Sequence, residues 1–189
     1  MSYATEWAAA IERSKKFGLE VPPHEVQPAH RYLTDARHAE FPYVVQQGLG
    51  DLDFPDVVAQ CMSIHYRLVP VLQEWLGCPV LYTIGWVDDG TDKGMFKFDD
   101  AFVADKLQNG HSSSTANIHA WLTLPSMEVI DVALVTTLAV VNGWKQGHGA
   151  VLAKHADEIT GMAYKPMLIG PDFLRKSGLL VEWGFYSVE

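Results

Sequence analysis

Ile118-His-Ala-Trp-Leu-Thr-Leu-Pro-Ser-Met-Glu-Val-Ile-Asp-Val132 holds two short alternating runs on either side of Pro125-Ser126, which predicts a β-hairpin. Side chains alternate along a strand, so His119 shares a face with Trp121 and Thr123, while Ile118, Ala120, Leu122 and Leu124 face the other way. The register then decides what His119 meets. An odd loop centred on Pro125 sets it opposite Asp131, ~5 Å away. An even loop centred between Pro125 and Ser126 sets it opposite Val132 and leaves Asp131 on the wrong face unless a bulge intervenes.

Outward from the hairpin, helical and strand patterns alternate. Residues 3–17 carry apolar residues at helical spacing, with Lys15-Lys16 in the last turn and Gly18 beyond, which predicts a helix. A second short helix is expected over Ala29–Ala39, stopped by Phe41-Pro42. From Asp53 the spacing of Val57, Cys61, Ile64, Leu68, Leu72 and Leu76 predicts one long central helix ending at Gly77, with Pro70 inside it. Pro79–Val87 reads as a strand closed by Asp88-Asp89-Gly90, and Asp99 or Asp100 caps a short helix that ends at Asn109-Gly110. Residues 133–141 suit helix or strand, 149–160 a helix, Asp172–Ser177 a short helix and Leu179–Val188 a last strand. The expected fold is one α+β domain over 1–189: a helical N-terminal extension (1–52), a core with a helix packed on an antiparallel sheet (53–133), and C-terminal helices and a strand (134–189).

Twenty-three acidic against fourteen basic residues give a net charge of -9. That disfavours nucleic acid and anionic lipid as partners and leaves a basic protein as an acceptable one. No apolar run reaches membrane-span length, and Met1–Glu6 lacks a signal-peptide layout. The expected location is the cytoplasm, or export without a signal peptide as a bacterial effector.

Two cysteines, Cys61 and Cys78, are too few for a disulfide framework. A helix from 61 to 76 would also hold their ends ~22 Å apart. Cys78 reads as a packing residue. Cys61 lies near a helix start, His119 on a strand and Asp131 on the next, which is the order a cysteine–histidine–aspartate site needs. A helix N-terminus and an imidazolium both stabilise a thiolate, and a carboxylate on the far ring nitrogen fixes the imidazole tautomer. Cys61-x3-His65 has the spacing of half a zinc site but lacks a second ligand pair in the nearby sequence. Asp88, Asp89 and Asp92 lack the spacing and terminal glutamate of a calcium loop. No metal or cofactor is expected.

Gln60-Cys61 opening a helix, a strand after Gly77-Cys78-Pro79-Val80, His119-Ala120-Trp121 and a strand reaching Asp131 resemble the core of the transglutaminase-like (papain-like) cysteine enzymes over residues 53–133. Met62 stands where many members have an aromatic residue, and Val132-Ala133 replaces a frequent Pro-Thr. The resemblance implies an amide hydrolase or acyltransferase of peptidase, amidase, deamidase or transglutaminase type. In it Cys61 is the nucleophile, His119 the general base and acid, and Asp131 the orienting carboxylate, acting on a peptide or protein amide. Gln60, Trp121, His111 and Asn117 are the candidates for oxyanion or substrate contacts. A non-catalytic, acidic binding or immunity-type protein on the same scaffold is the alternative.

Overall fold

The computed structural model describes residues 1–113 and 116–180. Its elements are α1 (Tyr3–Lys16), α2 (Asp35–Leu49), α3 (Phe54–Val57), α4 (Cys61–Leu76), β1 (Leu81–Asp88), α5 (Asp100–Asn109), β2 (His119–Thr123), β3 (Glu128–Asp131), α6 (Leu134–Val141), β4 (Leu152–His155), β5 (Ala163–Ile169) and α7 (Asp172–Lys176), with a 3-10 turn at Ala156–Glu158. The five strands form one antiparallel sheet in the order β4-β3-β2-β1-β5, so the chain is an α+β protein. The expected strand over Leu179–Val188 lies mostly outside the described residues.

Strand alternation sends side chains into two cores. On one face Ala120, Leu122 and Ile130 meet Ile64, Leu68, Leu72 and Leu76 of α4, with Phe41 and Leu49 of α2 behind them. On the other, Trp121 and Val129 meet Tyr3, Trp7, Ala10 and Ile11 of α1. The sheet is therefore covered on both faces, and α1 is part of the core. Each buried Leu or Ile side chain stabilises by roughly 1.5–3 kcal/mol relative to exposure.

Three expected elements need correction, and one strand was not expected. The second helix starts later, with Thr34 accepting from Arg37 N–H at its cap, and it runs through Pro42 to Leu49. The packing of Phe41, Val45 and Leu49 against the α4 cluster offsets the roughly 3 kcal/mol that an interior proline costs. The helix expected from Asp53 is two helices, broken at Val58–Gln60, where Ala59 turns left-handed (φ 58°). The helix expected over 149–160 is β4 followed by the 3-10 turn, because pairing with β3 outweighs the local preference of an Ala- and Leu-containing run. Strand β5 was not expected: Pro166 obscures it, and Pro166 is tolerated because β5 is an edge strand and pairs with Gly85 at a bulge.

The hairpin follows neither of the two registers considered. Leu122 pairs with Ile130 and Thr123 with Val129, which centres the loop on Ser126. Leu124 N–H donates to Glu128 C=O (2.9 Å), Met127 N–H donates to Leu124 C=O (2.9 Å), and Met127 closes the three-residue loop with φ 66°. The loop is odd, so His119 and Asp131 share a face, but by this register Asp131 lies across from Trp121, and His119 reaches it diagonally.

Gly85 decides how closely this face packs. It pairs with His119, and a Cβ there would run into the Lys165 carbonyl and the Trp121 ring. Gly85→Ala is expected to lower stability by about 1–3 kcal/mol, read from urea denaturation midpoints. Unchanged midpoints would refute this packing role.

Candidate active site

His119 opens β2 and Asp131 closes β3, so antiparallel pairing brings both to the same end of the sheet. The break after α3 makes Cys61 the first residue of α4. Backbone N–H groups of a helix's first turn have no intrahelical partner, and the helix dipole favours negative charge there. Cys61 and His119 line one pocket of about 210 Å³ with Gln60 and Thr137.

His119 Nε2 lies 2.6 Å from Asp131 Oδ2. A carboxylate can only accept, so Nε2 is the donor and Nδ1 is left for Cys61. Burial pushes the His119 pKa down, but the charges of Asp131 and Cys61, with hydrogen bonds to both, raise it to about 10. Burial likewise pushes the Asp131 pKa up. His119, His65 and the Leu134 N–H outweigh it and hold the carboxyl well below the usual range. All four near positions of that carboxylate are filled: Oδ1 accepts from Ala133 and Leu134 N–H (2.9 Å each) at the start of α6, and Oδ2 also accepts from Tyr164 Oη (2.8 Å). The imidazole stacks on Phe96 (5.2 Å, 26°) and on Trp121 (5.9 Å, 30°).

His65, one turn after Cys61, is fully buried. Val132 N–H donates to its Nε2 (3.1 Å), so Nδ1 carries the proton and donates to Cys61 C=O (2.8 Å). Burial lowers its pKa to about 4 against the pull of Asp131, so the ring is neutral at neutral pH. Its 3.5 Å separation from Asp131 Oδ1 is therefore a contact, with no ion pair. His65 ties the start of α4 to the strand end that carries Asp131. Among the described residues no group of three or more His, Cys, Asp or Glu side chains could hold a metal ion.

The four accessory candidates separate. Gln60 lines the pocket, and its Oε1 accepts from Ser63 Oγ (3.1 Å), which orients the amide. Trp121 does not line it: the ring is fully buried behind His119, and its Nε1 donates to Tyr3 Oη (2.8 Å). Asn117 lines a separate depression with Lys97, Phe98, Asp99 and Phe102. His111 lies outside the Cys61 pocket, and its backbone N–H donates to Ser177 C=O (2.8 Å). Ser114 and Thr115 of the same loop lie outside the described residues. Cys78 is buried in the larger core, where burial and then Glu128 push its thiol up to about 11.

Sequence reasoning missed Tyr164, Phe96 and the part played by His65. Only His65 left a signal, its position four residues after Cys61 on one helix face. No protein family, curated protein or solved structure matches the chain, and no helix among the described residues is long and apolar enough to cross a membrane.

Proposed function

We propose that this chain is a cysteine-dependent amide hydrolase or acyltransferase with a transglutaminase-like core, acting through Cys61, His119 and Asp131. The observation that carries this reading is the junction of three features: Cys61 at the first position of α4, His119 in the same pocket, and the 2.6 Å hydrogen bond from His119 to Asp131. The Cys61 thiolate attacks an amide or thioester carbonyl. The Cys61 backbone N–H and the Gln60 amide hold the oxyanion, and the carbonyl carbon becomes bonded to Sγ. The bond to the leaving group breaks as His119 passes its proton to the departing amine or thiol. Water or a second amine, deprotonated by His119, then releases the acyl group and restores the thiolate and the protonated His119.

The test is alkylation of Cys61 by iodoacetamide across pH 5–9, followed by site-resolved mass spectrometry. Wild-type Cys61 is expected to react at its full rate well below pH 8, and His119→Ala to shift the profile towards that of a free thiol near pH 8.5. Identical profiles for the two proteins would exclude the pair and favour the acidic binding protein.

A further inference from the structure

We propose that the pocket at Cys61 selects a small, uncharged acyl group and that Phe96 sets its upper size limit. The inference rests on reading Cys61 as the nucleophile and adds the chemical class of what it takes. At about 210 Å³ the pocket lies below the roughly 300–1,000 Å³ typical of drug-sized ligands. Apart from Cys61 and His119, the described residues that line it are apolar (Met62, Phe96, Ile118, Leu134 among them) or neutral and polar (Gln60, Thr137). The buried ion pair at hand is already satisfied: His119 donates to Asp131 Oδ2 (2.6 Å), and the other positions of that carboxylate accept from Ala133 N–H, Leu134 N–H and Tyr164 Oη. A charged substituent would enter without a counter-ion and lose its hydration, whichever its sign.

Backbone strain converges on the same place. Three non-glycine residues among those described have positive φ; two of them, Ala59 (58°) and Phe96 (61°), line this pocket, and Met127 turns the hairpin. Left-handed backbone at bulky residues persists where the surroundings enforce it, and it clusters at functional sites. Ala59 is tied across the pocket wall by its N–H to Thr137 Oγ1 (3.3 Å). Phe96 follows Met95, which exchanges both backbone hydrogen bonds with Val87 (2.9 and 2.8 Å), and its ring stacks on His119. Phe96 is thus a wall held from β1. In the reaction, the group so selected is the one whose carbonyl carbon bonds to Sγ while the bond to its amine or thiol breaks.

Methanethiosulfonate reagents test this on the full-length protein. The Cys61 thiolate attacks the sulfenyl sulfur, a mixed disulfide forms and methanesulfinate leaves. Rates at Cys61 are read by mass spectrometry and divided by those for free cysteine, for methyl, propyl, benzyl, sulfonatoethyl (anionic) and trimethylammonioethyl (cationic) reagents. Methyl and propyl are expected to exceed both ions and benzyl at least tenfold. Phe96→Leu and Phe96→Ala are expected to recover the benzyl rate in graded steps while still rejecting both ions. Equal normalised rates would overturn the proposal, as would rejection of one sign only, which a simple electrostatic field would explain, or a benzyl rate indifferent to Phe96. If the enzyme reading fails, the iodoacetamide pH profile fails whatever the selectivity, so the two failures are distinguishable.

Discussion

Asp131→Ala is expected to lower stability by about 3–5 kcal/mol, because it strands an imidazolium, a phenol and two backbone N–H groups that now donate to one fully buried carboxylate. Urea denaturation at pH 7 measures it, and a loss under 1 kcal/mol would show that the network contributes little. Asp131→Asn separates stability from reactivity. The amide keeps the shape and can still accept from Ala133 and Leu134, but its NH2 then faces the Nε2 of His119. The imidazole must present a bare Nε2 and carry its proton on Nδ1, towards Cys61. Alkylation of Cys61 at pH 6.5 should fall at least about a hundredfold while the fold persists. Undiminished alkylation would remove Asp131 from the mechanism.

Stability is expected to peak near pH 6.5–7 and to fall on both sides. His65 is held neutral, with a pKa of about 4. Between pH 6.5 and 4 the unfolded chain binds a proton that the folded chain refuses, so acidification removes about 3 kcal/mol. That corresponds to roughly 6–12 °C in Tm at this chain length. Asp131 acts lower down: its folded pKa is depressed, so its stabilisation is present above the unfolded value of ~3.9 and is lost as pH falls through the folded one. On the alkaline side His119 is raised to about 10, so its pairing is complete below ~6.5 and is lost as pH rises through 10. Urea midpoints from pH 4 to 10 test the His65 and His119 limbs. His65→Gln should flatten the limb between pH 6.5 and 4 while lowering stability at pH 7, and a wild-type limb already flat there would refute the neutral, buried His65.

The residues of the candidate site were legible because each is set by a local rule. The i, i+2 alternation puts His119 with Trp121 and Thr123, all three buried in the structure, and an odd loop keeps Asp131 on their face. The stretch 134–141 could have been resolved as well. Asp131 stands three residues before Leu134, a helix-start signal, and its Oδ1 does accept from the Leu134 N–H at the start of α6. Strand β4 was not legible, since a run such as Leu152-Ala-Lys-His155 becomes a strand only by pairing with Glu128–Asp131.

By itself the sequence determined the order of the main helices, the hairpin and the three residues of the candidate triad, because capping, helical spacing and strand alternation act over four residues or fewer. Tertiary structure alone decided the rest. It broke the helix at Ala59 so that Cys61 became its first residue, centred the hairpin on Ser126, and brought His65, Tyr164 and Phe96 from separate elements onto His119 and Asp131. Those outcomes depend on which faces bury together across tens of residues, where packing and desolvation outweigh any local preference.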